Sequence, residues 1–182
     1  MNLTERTTLY AQLFDNISYT RVLLSEILTV SNDAEILKKI PAVTWSYTQN
    51  IGISLGKIFS ESTNEPFRLM RFKELGSENI NERILRLERD HLNLIKKVRK
   101  NRNKLFAHTD RDFHKMRFSR AEVDRLELKF GGEYSKLLAE RKDNKRFTPT
   151  DIKNDADEIR SILEALDGIW QEAIESDPGV EH

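Results

Sequence analysis

The 182-residue chain contains no cysteine. Disulfides, thiolate metal sites and thiol nucleophiles are therefore excluded. Glycine and proline are scarce, at 7 and 4 residues, so few positions force a helix to stop and long helices are expected. No apolar run approaches the ~20 residues needed to span a bilayer. The opening Met1-Asn2-Leu3-Thr4-Glu5-Arg6 lacks the basic-then-apolar layout of a secretory leader. The expectation is a soluble cytoplasmic protein without a membrane segment. Nor does one sign of charge dominate: 30 basic residues balance 30 acidic ones, which argues against the whole surface binding nucleic acid.

That balance hides an asymmetry. Between Lys96 and Arg120 stand ten basic residues: Lys96, Lys97, Arg99, Lys100, Arg102, Lys104, Arg111, Lys115, Arg117 and Arg120. Only Asp110 and Asp112 oppose them, a local excess of eight. A positive segment inside an otherwise acidic chain suits a polyanionic partner.

Helical periodicity dominates the rest. A first helix starts near Thr4 and carries Tyr10, Leu13, Phe14, Ile17, Leu24, Ile27 and Leu28 on one face. Ser31-Asn32-Asp33 breaks it, a short helix at 34–39 follows, and Pro41 precedes a second long helix over 42–62. Glu65-Pro66 reads as the start of a short piece that Gly76 stops. A third long helix is expected over 79–107. A fourth begins at the capping box Ser119…Glu122 and is broken by Gly131-Gly132; a last one begins at Thr148-Pro149-Thr150-Asp151 and buries Ile159, Ile162, Leu163, Leu166 and Ile169. The fold class is all-α, a bundle of four to five main helices forming a single domain over 1–176. Residues 109–148 form an elaboration and 177–182 a flexible tail.

The third helix holds the candidate site. Ile80, Ile84, Leu87, His91, Leu94 and Val98 step by four and three, and the same steps land on Asn101, Leu105 and His108. A neighbouring stripe runs through Leu85, Leu92, Ile95, Arg99, Arg102 and Phe106. Asn101, Arg102 and His108 thus stand where apolar residues would continue. Polar groups on a packing face are either satisfied internally or line a cleft or interface.

Arginine offers a fixed fork of donors to a phosphate, and histidine gives or takes a proton near neutral pH. Cutting RNA through its own 2′-hydroxyl needs a base, an acid and a cation for the developing charge. Arg102 and His108 are separated by about 9 Å of helical rise and about 120° around the axis. One chain supplies one histidine here, whereas a symmetric dimer joined through this helix supplies two.

The segment Arg102-Asn103-Lys104-Leu105-Phe106-Ala107-His108-Thr109-Asp110 resembles the Arg-Asn-x4-His signature of HEPN domains, in particular the abortive-infection U type. The resemblance implies a HEPN-like bundle that dimerises through the motif helices. It also implies a metal-independent endoribonuclease of toxin–antitoxin or anti-phage systems. It carries over Arg102, Asn103 and His108 as catalytic residues, and suggests an antitoxin partner of the minimal nucleotidyltransferase type. The alternative is a non-catalytic dimerisation or RNA-binding module on the same fold.

Around the motif, Lys96, Arg99, Lys100, Lys104, Asp110, Arg111, His114 and Lys115 are candidate RNA contacts. Asp110 either orients His108 or caps the next turn. His91 is expected to be a satisfied core histidine, and Trp45 and Trp170 to be core residues rather than base-stacking platforms. No metal or other cofactor is expected. No His-Glu-x-x-His spacing occurs, and Gly131-Gly132 lacks the Lys-Ser/Thr of a phosphate loop.

Overall fold

The computed structural model describes residues 1–31, 41–106 and 147–179. Every element in these stretches is helical: α1 (Leu3–Ser31), α2 (Pro41–Ile58), a 3-10 helix (Leu69–Leu75), α3 (Glu78–Asp90), α4 (Leu92–Phe106), α5 (Pro149–Asn154) and α6 (Ala156–Glu175). The chain divides into two compact units. One comprises Met1–Arg102 and Phe147–His182; the other is Asn103–Arg146. The expected short helix at 34–39 and the capping-box helix at 119 lie outside the described residues. None of the helices among the described residues is long and apolar enough to cross a membrane.

Local chemistry explains most helix ends. Asn2 Oδ1 accepts from the Glu5 N–H at 2.9 Å while Glu5 Oε2 accepts from the Asn2 N–H at 3.0 Å, a reciprocal cap on α1. Thr148 and Asp151 form the same device on α5. Gly76, at φ 80°, ends the 3-10 helix in the left-handed conformation that glycine adopts without penalty. α2 stops at Ile58, short of the expected Ser62. The Ser60 and Ser62 hydroxyls there accept from the N–H groups of Ser62 and Asn64, so side chains compete with the helical ladder. Glu65-Pro66 starts no helix; the 3-10 helix begins three residues later, at Leu69.

The core is a single cluster. α1 packs on α2 and α6, and α3 packs on α6 and the 3-10 helix. Leu9, Leu13, Ile17, Leu24 and Ile27 of α1 meet Ile51, Leu55, Phe59, Ile159, Ile162, Leu163 and Leu166. Burying each such side chain contributes roughly 1.5–3 kcal/mol. Four expected core positions are corrected: Phe14 is 46% exposed, Trp45 39%, Leu85 57% and Leu92 43%. Phe14 keeps a ring contact with the half-buried Trp170, centroids 5.1 Å apart.

The expected helix over 79–107 is two helices. His91 leaves helical geometry (φ −117°, ψ 25°), although its N–H still donates to Leu87 O and its carbonyl accepts from the Ile95 N–H. No proline or glycine marks this break, so periodicity runs through it. The inner line Ile80, Ile84, Leu87, Leu94 and Val98 is buried as expected, whereas the outer line fails at Leu85 and Leu92, both exposed.

Residues 177 and 179, in the described part of the expected flexible tail, are held by specific contacts. Asp177 is buried, accepts from the Tyr10 hydroxyl at 2.8 Å and from the Gly179 N–H at 2.9 Å, and lies 3.1 Å from Arg6 Nε. The Arg6 contact is an ion pair without hydrogen-bond alignment. A Cβ at Gly179 would sit 2.9 Å from Arg6 Nη2 and 3.1 Å from Leu3, so a side chain there would push the Arg6 guanidinium aside.

Burial alone would raise the Asp177 pKa. The Gly179 N–H, the Tyr10 hydroxyl and Arg6 outweigh burial and hold it below the usual carboxylate range. A depressed folded pKa gives stability that is complete above the unfolded value of about 3.9 and is lost as pH falls through the folded value. Melting temperature is therefore expected to drop below about pH 4. Asp177→Asn should lower it at neutral pH and flatten part of the acid limb; an acid limb identical to wild type would refute this anchor.

Candidate functional site

The site is built from α4 upward. Leu94, Ile95 and Val98 seat the helix in the core, and the next residue on that line is Asn101, only 2% exposed. Its amide is satisfied on both sides. Oδ1 accepts from the Phe147 N–H at 2.8 Å, and Nδ2 donates to Lys97 O at 2.8 Å. Asn101 lies two residues before the boundary at which the chain passes to its second unit, and Phe147 is where the first unit resumes. One side chain thus joins the exit and re-entry points.

Lys97 reinforces the junction. Its Nζ donates to Asp151 Oδ1 at 2.9 Å and to Asp155 Oδ2 at 2.7 Å, and stands 5.0 Å from the centroid of the buried Phe147 ring. Asp151 is in the first turn of α5, where a carboxylate also complements the helix dipole. Burial would lower the Lys97 pKa, but the bonds from Asp151 and Asp155 outweigh it and raise it. Burial likewise opposes, and Lys97 and Thr148 together achieve, a lowered pKa at Asp151.

Arg99 spans the other side. Nε donates to Phe59 O just past the end of α2 at 2.7 Å, Nη2 donates to Glu88 at 2.8 Å, and Nη1 lies 2.8 Å from Glu61. Its guanidinium therefore ties α2, α3 and α4 together. Among the four basic residues of this stretch whose side chains are described, Lys97 and Arg99 are in this way neutralised by carboxylates from elsewhere in the chain. Lys96 and Lys100 are exposed on the outer face of α4.

Arg102 and Asn103 belong to the last turns of α4. Their side chains, and that of Lys104, lie outside the described part of the structure, as do residues His108, Asp110, Arg111, His114 and Lys115 in full. The structure thus describes the base on which the motif stands: Arg102 directly follows the clasped Asn101.

A second cluster centres on His91, expected as a satisfied core histidine, with partners on α6 that no local spacing announces. His91 is a satisfied, half-buried histidine at the break between α3 and α4. Its Nδ1 lies 3.3 Å from Glu158 Oε1 and its Nε2 3.4 Å from Ser161 Oγ. Beside it, α3 and α6 enclose a groove of about 810 Å³ whose wall includes Arg83, Arg86, Arg89, His91 and Ser161. Pairing across 70 residues of sequence leaves no local spacing to detect. Glu158 and Ser161, three apart on α6, were the only available signal. Comparison of the chain with family models, curated proteins and solved structures returned no match.

Replacing Asn101 by Ala leaves the buried Phe147 N–H unpaired, at a cost of about 1–3 kcal/mol. Urea denaturation should show this as a lowered midpoint. Lys100→Ala, on the exposed face, should stay within about 0.5 kcal/mol of wild type. Equal shifts for the two substitutions would sink the clasp.

Proposed function

We propose that the chain is a metal-independent endoribonuclease of the HEPN type, acting as a toxin or anti-phage effector. In this reading Arg102 holds the scissile phosphate, His108 transfers the proton, and Asn103 orients the pair. The observation that carries it is the Arg102-Asn103-x4-His108 motif, set immediately after a buried, doubly bonded Asn101. A helix fixed in this way gives the phosphate-binding arginine a rigid base, as a cleavage site requires. A dimer joined through α4 brings two histidines to one cleft and supplies both acid and base. An antitoxin, such as a minimal nucleotidyltransferase, is the expected silencing partner.

A second reading has its own support. Arg99 and Asn101, both on the polar part of the helix, are consumed by the scaffold. A non-catalytic dimerisation or RNA-binding module would extend that structural role to the motif itself.

Purified protein incubated with varied single-stranded RNAs in excess chelator should yield products. Arg102→Ala and His108→Ala should each reduce the rate by at least about 100-fold, the usual contribution of a proton-transfer group. Cleavage surviving both substitutions removes the motif from the mechanism, and no cleavage by wild type favours the binding module. Light scattering should give twice the chain mass; a fully active monomer would refute the shared cleft.

A further inference from the structure

α3 and α4 present an exposed line of polar residues: Arg86, Arg89, Asn93, Lys96 and Lys100, spaced by three, four, three and four. This is the period of one helix face, and the ladder across His91 keeps the register from α3 to α4. From Arg86 to Lys100 the line covers about 21 Å at 1.5 Å per residue. Three further residues lead to Asn103, the second residue of the motif. Arg89 pairs with the adjacent Asp90 at 3.0 Å, in an exposed contact of little energetic weight. Arg83, Lys97 and Arg99 lie off this line, each engaged by a carboxylate of another part of the fold.

At its α3 end the line borders the groove between α3 and α6. Arg86 and Arg89 form part of the wall together with the acidic Glu82 and Asp90, Leu85 offers an apolar shelf 57% exposed, and the Ser161 hydroxyl, beside His91 Nε2, is exposed at the mouth. At about 810 Å³ it falls in the size range of small-ligand sites.

We infer that this face is a track for single-stranded RNA, leading from the α3–α6 groove along α4 to the motif. The inference rests on the nuclease reading for what happens at the end of the track, but not for binding along it. A row one helix wide, of Arg86, Lys96 and Lys100 with the amide of Asn93 and the surface-paired Arg89 between them, matches one phosphate backbone rather than the two of a duplex. Arginine planes and an apolar shelf receive an unstacked base, which duplexed RNA does not offer. The Ser161 hydroxyl at the groove mouth can exchange hydrogen bonds with a ribose 2′-hydroxyl, which DNA lacks.

The test uses the full chain carrying His108→Ala, so that binding is read without cleavage, and a fluorescein-labelled single-stranded RNA 20-mer followed by anisotropy. Substituting Arg86→Gln, Lys96→Gln and Lys100→Gln together should weaken binding about 10-fold or more, and should lower the slope of log affinity against log salt by about 2, at roughly 0.7 per phosphate contact. Leu85→Asp should weaken single-stranded binding as well. Circular dichroism melts matching the parent show that the variants fold. Unchanged affinity and salt slope in the triple variant overturn the track. So do tighter binding of the same RNA as a duplex, and displacement of the RNA by polyglutamate as effectively as by unlabelled RNA, which would assign the face to an acidic protein partner. Track-dependent binding with no cleavage by the wild-type chain overturns the nuclease reading alone; cleavage with track-independent binding overturns the track alone.

Discussion

A buried amide with both of its polar atoms occupied holds the described structure together at its most exacting point. Asn101 reaches the Phe147 N–H and the Lys97 carbonyl, so the end of α4 and the start of the C-terminal helices share one fixed position. An apolar residue of similar size would fill the space but strand the Phe147 N–H away from water. Lys97 then closes the surrounding charge with Asp151, Asp155 and the Phe147 ring. Asn101 and Phe147 thus bracket the 44 positions between Arg102 and Phe147. For a chain segment of that length, the entropy of closing its ends grows only slowly with further residues.

The same economy governs the charges around the motif. In the linear sequence the ten basic residues form one undivided field. In the fold the described ones sort by helix face: Lys97 and Arg99 turn toward carboxylates of α5, the α5–α6 junction, α3 and the turn after α2, while Lys96 and Lys100 face solvent. The inner pair stiffens the helix and the outer pair remains available to a partner. A positive segment can therefore serve stability and recognition at once, since successive side chains on a helix point some 100° apart.

Much of the architecture was legible from spacing alone. The buried face of α6, the inner line of α3 and α4, the caps at Thr148 and Gly76 and the all-helical class follow from period, cap chemistry and scarce glycine and proline. The outer line through Leu85 and Leu92 misled, because a leucine at helical spacing is buried only if another element covers that side. The break at His91 was hidden because no residue there disfavours helix; its ring is held by Glu158 and Ser161, contacts that exist only after α6 has docked. The candidate site was legible as a motif and as an interruption of a packing face. That Asn101 belonged to the scaffold and not to the reactive set needed Phe147, 46 residues away. Asp177 was missed for the same reason, its partners Arg6 and Tyr10 lying at the opposite end of the chain.

That last contact constrains how the protein is made. Tyr10 meets Asp177 across 167 residues, and Trp170 Nε1 donates to Tyr10 O across 160. During synthesis α1 can pair early with α2, and Tyr10 with Phe72 of the 3-10 helix, but the Tyr10 contacts to Trp170 and Asp177 wait until α6 and the turn after it have left the ribosome. Contacts of such long sequence separation form late, because the closure entropy of the whole chain precedes their gain. The bundle is therefore closed by contacts between its first helix and the turn after α6, which form only once both are present.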